Sequence, residues 1–163
     1  MYRTPAAPMP PIDRTTILPG VGVGPIVVGR TTAAEVLALL GNDCRVSRHD
    51  PSQEVFEISY DYENDEDYEP DRAAQLTRPA TFRFEFGMCQ AIEIGVYQEG
   101  LATREGIRCG TKQAEVRRWL GEPSEVLHKG SMDTLRYSHF GIDIEIGRED
   151  DEVVGMEVFR ARW

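Results

Sequence analysis

The chain has no apolar run approaching the roughly 18 residues that a membrane-spanning helix needs, and its opening MYRTPAAPMPPIDRTT carries no apolar segment of the secretory kind. The expectation is a cytoplasmic protein with no membrane partner. Cysteine is scarce and unpatterned: Cys44, Cys89 and Cys109 are odd in number and fall in no CxxC or Cys/His spacing, which argues against a disulfide framework or a zinc site. Positive charge is in deficit, with 18 Lys and Arg against 28 Asp and Glu for a formal net charge of −10. Such a balance disfavours nucleic acid and anionic lipid and favours a basic protein partner.

Catalytic patterns are lacking as well. The three histidines, His49, His128 and His139, belong to no HExxH, GxSxG or Cys-His arrangement. Gly20, Gly22 and Gly24 superficially suggest a phosphate-cradling loop, but Pro25 follows at once and no Lys-Ser/Thr pair opens a helix there. The sequence therefore points to a protein that is not an enzyme and takes neither cofactor nor metal.

What is present begins with 163 residues, about one domain. Pro5, Pro8, Pro10 and Pro11 make residues 1–16 a flexible Pro-rich arm. Beyond it, TTAAEVLALLG (31–41) and TKQAEVRRWLG (111–121) align without a gap at a separation of 80 residues. Thr31 or Thr32, and Thr111, suit a helix N-cap, and Glu35 stands where a capping box needs it. Val36, Leu37, Leu39 and Leu40, and Val116, Trp119 and Leu120, form apolar stripes; Gly41 and Gly121 supply the stops.

Strands follow each helix. VFEISYDY (55–62) alternates apolar and polar residues, as do FRFEFG (82–87) and IDIEIG (142–147), with AIEIGVY (91–97), LRYSH (135–139) and VVGMEVF (153–159) completing the set. Turns are expected around Met88–Gln90 and at 148–152. Each copy then reads as one helix plus a three-stranded antiparallel meander. The predicted fold class is α+β: two tandem repeats, 17–100 and 101–163, forming a curved antiparallel sheet with helices on one face and an acidic insertion at 63–80 in the first copy.

A lead-in strand, then Gly-x-Thr-x-x-x-Val with Gly about five residues on, then a meander, resembles the repeat of the beta-lactamase inhibitor proteins and of the small outer-membrane assembly lipoproteins. Here it reads VVGRTTAAEVLALLG and IRCGTKQAEVRRWLGEP, within roughly residues 24–160. The resemblance implies a sheet whose helix-free face grips a protein. It departs from those families in lacking a partner for Cys44 and a lipobox before residue 20.

Alternation assigns Glu57, Ser59, Asp61, Arg83, Glu85, Glu93, Arg136, Ser138, Asp143, Glu145 and Glu157 to that face. Between Tyr60 and Arg72 the chain reads YDYENDEDYEPDR, which alone holds −6 of the net −10. As a calcium loop this tract fails, with Glu66 where Gly is required and Arg72 where Glu is required. Tyr60, Tyr62 and Tyr68 suit contact with a protein surface. The expected partner-binding residues are Asp61, Tyr62, Glu63, Asp65, Glu66, Asp67, Tyr68 and Glu69, extended over the sheet by Glu85, Asp143 and Glu145. The function expected is a cytoplasmic immunity protein neutralising a basic toxin or effector. The alternatives are an assembly or scaffold module of the same fold and a small carboxylate-dependent enzyme.

Overall fold

A computed structural model describes residues 14–50, 54–60 and 77–161, with 49 and 50 described by backbone only. Two short helices lie where the local signals place them: α1 is Ala33–Leu40 and α2 is Gln113–Leu120. Thr32 caps α1 through a complete capping box, its hydroxyl accepting from the Glu35 N–H at 3.2 Å while the Glu35 carboxylate accepts from the Thr32 N–H at 3.2 Å. The N-cap of α2 is instead Lys112, which makes no side-chain cap bond. Thr111 does not cap: its hydroxyl accepts from the Arg108 N–H at 3.1 Å, closing the turn before the helix, as Thr31 does with Val27 at 2.8 Å. Gly41 and Gly121, at φ 94° and 77°, end the two helices.

The strands are β1 Thr16–Leu18, β2 Gly22–Val23, β3 Ile26–Val27, β4 Arg45–Asp50, β5 Val55–Ser59, β6 Thr81–Glu85, β7 Met88–Ile94, β8 Ala102–Thr103, β9 Glu125–Lys129, β10 Met132–Tyr137, β11 Ile142–Gly147 and β12 Glu152–Phe159. Eight form one antiparallel sheet in the order β4-β5-β6-β7-β12-β11-β10-β9. Four strands therefore follow each helix, not the expected three. The additions, β4 and β9, are the two edges. Their sequences RVSRHD and EVLHK show no apolar alternation because an edge strand buries little; Val46 and Val126 stay exposed. The turn expected around Met88–Gln90 lies at Phe86 and Gly87, whose φ values of 51° and 80° are those of a type I′ hairpin.

The remaining strands form a small sheet, β3-β2-β1-β8, in which β1 runs parallel to β8 with Thr16 opposite Ala102 and Ile17 opposite Thr103. Thr16, placed in the arm by the sequence reading, thus begins a strand. The same pairing crosses the expected boundary near residue 100, and Ile17 and Leu101 are both buried in a core common to the two segments.

That core lies on one face of the large sheet. Phe82, Phe84, Ile92, Ile94, Ile142, Ile144, Ile146 and Val158 are buried there with Val36 of α1 and Val116 of α2, each side chain stabilising by about 1.5–3 kcal/mol. Phe56 stacks on Phe84 at 5.1 Å, and Tyr60 meets Phe82 edge-on at 6.2 Å. Trp119 departs from its expected place in the stripe: it is 52% exposed, with the Arg118 guanidinium 5.8 Å from its ring.

Both helices are fastened to the sheet at both ends. At the N-terminal ends the Ala33 and Gln113 N–H groups donate to Gly87 and Asp151 in the β6–β7 and β11–β12 hairpins. At the C-terminal ends the Tyr60 hydroxyl donates to the Gly41 carbonyl at 2.7 Å and the Tyr137 hydroxyl to the Gly121 carbonyl at 2.9 Å. These bonds use backbone groups that a helix leaves unpaired at its ends. Tyr60 is accordingly a buried structural residue, with Arg78 over its ring at 5.0 Å, and not a contact residue.

Candidate binding face

With the apolar side chains committed to the core, strand alternation sends the rest to the opposite face. The register then decides which charges meet. Across the large sheet Thr81 stands opposite Glu93, Glu93 opposite Glu157, Glu157 opposite Asp143, Asp143 opposite Arg136 and Arg136 opposite Glu125. A neighbouring row sets Glu57 opposite Arg83 and Arg83 opposite Ala91. Glu145 faces Gly155, whose missing side chain leaves the carboxylate room.

The face is electrostatically divided. On one side Arg136 donates to Asp143 from Nε and from Nη2, each at 3.2 Å, and approaches Glu125 at 3.5 Å. The Asp143 bond, foremost, raises the guanidinium's affinity for its proton. Asp143 is only 9% exposed. Among the residues expected to extend the partner contact, Asp143 lies across the strand pair from Arg136 and is ion-paired with it at 3.2 Å.

On the other side Glu93, Glu145 and Glu157 make no ion pair among the described residues. Partial desolvation on the sheet surface, and then the charges of Glu157, Glu57 and Glu145, raise the Glu93 carboxyl above its usual range, with Arg83 opposing. Glu93 itself keeps a solvent-exposed surface, so its desolvation is incomplete. Glu157 is raised too, by desolvation first, with Asp143 and Glu145 adding and Arg83 and Arg136 opposing.

These three acids line an open depression of about 270 Å³, together with Ala80, Thr81, Gly95 and Gly155. Beside it lies a second depression of about 420 Å³, lined by Arg83, Arg136, Ser138, Asp143, Glu157 and Phe159. The lining of both depressions is mainly polar.

No match to a known protein helps here: no family model, no curated protein and no solved structure matches the chain.

Of the expected partner-binding residues, Asp61, Tyr62, Glu63, Asp65, Glu66, Asp67, Tyr68 and Glu69 lie outside the described residues. Glu145 belongs to the acidic depression. Glu85, half-buried, is on the same face opposite Val55, at the hairpin end of β6. The residues passed over are Glu93 and Glu157. Alternation placed both on the face, but only the pairing of β7 with β12 puts them opposite one another.

Elsewhere several titratable groups have structural partners. His128 Nδ1 lies 2.7 Å from Asp133, which also accepts from Arg148 Nε at 2.8 Å; these bonds hold the Asp133 carboxyl below its usual range. Desolvation pushes the Cys89 and Cys109 thiols up to about 12, the opposite of an activated nucleophile. Among the described residues no three His, Cys, Asp or Glu converge to hold a metal ion, and no helix is long and apolar enough to cross a membrane.

Proposed function

We propose that the protein is a non-enzymatic binder whose acidic sheet face captures a basic protein, acting as a cytoplasmic immunity protein that neutralises a toxin or effector. The observation that carries this reading is the Glu93–Glu157 pair. Two like charges stand directly opposite on the two central strands, with Glu145 beside them and, among the described residues, no cation in an ion pair with any of the three. Such opposition destabilises a sheet by some tenths of a kcal/mol to about 1 kcal/mol. A lysine or arginine from another molecule, seated in the depression, removes that repulsion and replaces it with attraction.

The repeated architecture supports the same reading. A helix and four strands recur at an offset of 80 in the helices, with the same Tyr-to-Gly carbonyl bond and the same hairpin-to-helix bond in each half. We take this as a tandem duplication of the kind found in the beta-lactamase inhibitor repeat, presenting a curved helix-free face to a protein. The acidic tract at 61–69 adds to the chain's net negative charge, and opposed fields speed encounter with a cationic partner.

The test is capture from the source cell at low and high salt, with the wild type beside a Glu93→Gln/Glu145→Gln/Glu157→Gln variant. A basic protein should be retained by the wild type and released by salt. The variant should bind it more weakly and with a flatter salt dependence. Equal retention by both proteins at every salt concentration removes the sheet face as the site.

A further inference from the structure

The large sheet ends in two edges of different character. At β4 the pairing with β5 slips between Arg48 and Asp50, and a bulge of this kind twists an edge away from further pairing. At β9 the ladder to β10 is regular over all five residues, from Glu125 opposite Arg136 to Lys129 opposite Met132. Four of those five residues are exposed and Leu127 is half-buried, so nothing among the described residues covers the strand. An uncovered, regular edge is a template for another strand.

The sequence of that edge, Glu125-Val126-Leu127-His128-Lys129, is complementary to itself when reversed. We propose that β9 pairs antiparallel with β9 of a second copy, about a two-fold axis perpendicular to the sheet and midway between the two Leu127 residues. Glu125 of each copy then meets Lys129 of the other, Val126 meets His128, and the two Leu127 residues meet at the axis. The pleat allows this register: Glu125, Leu127 and Lys129 share the binding face, Val126 and His128 the helix face, and a perpendicular two-fold keeps each on its side. Charged residues on an edge ordinarily discourage pairing; here opposite signs at symmetric positions make the two-fold partner the favoured one.

The contact is isologous and closes at two subunits. It joins the two eight-stranded sheets into one and brings two acidic faces onto a common surface. Lys129 makes no ion pair among the described residues, and the Glu125–Arg136 contact, at 3.5 Å, leaves Glu125 more than half exposed. Both ends of the strand are therefore open to a partner.

Sedimentation of the full chain over a concentration series up to millimolar should give a monomer–dimer equilibrium. Lys129→Glu places like charges at both ends of the contact and should raise the dimer dissociation constant about tenfold or more. The double variant Glu125→Lys/Lys129→Glu exchanges the signs and should restore dimerisation, while circular dichroism checks that each variant keeps its fold. A wild type monomeric throughout overturns the proposal. So does a Lys129→Glu variant that dimerises like the wild type, or a folded double variant that fails to recover.

Discussion

Replacing Glu93 by Gln removes one charge and keeps the side chain's size, so it isolates the repulsion at the centre of the sheet. Two unit charges about 5 Å apart repel by about 1 kcal/mol in water and about 3 kcal/mol at an effective dielectric constant of 20. Because Glu93 is solvent-exposed, the lower end applies, in line with the 0.2–1 kcal/mol typical of cross-strand pairs. The sign follows from linkage. A carboxyl whose folded pKa lies above its unfolded value binds more protons when folded, so stability falls as pH rises from about 4 through the raised pKa. Below the unfolded pKa both glutamates are protonated in either state and the penalty vanishes. Glu93→Gln should therefore be more stable than the wild type at pH 7 by about 0.5–1 kcal/mol, a rise in Tm of about 1–4 °C for a chain of this size, and should match it at pH 3.5. Thermal unfolding by calorimetry at the two pH values measures this, and Glu157→Gln should show the same pattern. The double variant should gain less than the sum of the two, because either substitution alone already ends the mutual repulsion. A Glu93→Gln protein less stable at pH 7, or one whose gain persists unchanged at pH 3.5, would refute the argument that the pair is strained by charge.

The tyrosine bonds to the helix ends give a second expectation: Tyr60→Phe and Tyr137→Phe should each lose about 1 kcal/mol in denaturant unfolding, and the double variant should lose their sum, since the two hydroxyls have no partner in common. The helix starts should respond unequally. Thr32→Ala should cost about 1 kcal/mol by removing the capping box, whereas Lys112→Ala, at an N-cap with no side-chain cap bond, should change the midpoint little.

How far the sequence could be read depended on whether the deciding interaction was local. Both helices were legible to within a residue because the residues that start, pack and stop them are neighbours in the chain. The inner strands β6 and β11 were legible because Phe82 and Phe84, and Ile142, Ile144 and Ile146, alternate against a buried face. The edges β4 and β9 were not, since a strand open to solvent on one side needs no apolar period. The β6–β7 turn was hidden for another reason. It places Phe86 at φ 51°, where turn-forming sequences ordinarily carry Asn, Asp or Gly. Thr111 misled because a threonine ahead of a helix can close the preceding turn instead of capping, as Thr31 also does in the first copy.

The candidate site was legible as a face but not as an arrangement. Glu93 and Glu157 are 64 residues apart, and nothing in the sequence around either one specifies that β7 and β12 pair in a register that sets them opposite. That register is held from the other side of the sheet. Ile94 stands opposite Met156 and Ile92 opposite Val158, all four buried, and at about 1.5–3 kcal/mol each their burial exceeds several-fold a like-charge repulsion below about 1 kcal/mol. Packing therefore fixes the seam whatever residues stand at 93 and 157, so folding does not require acids there. Glutamine would fill the same space without the repulsion. On the proposed reading, a positive group arriving from outside the chain would account for a like-charge pair that folding can dispense with.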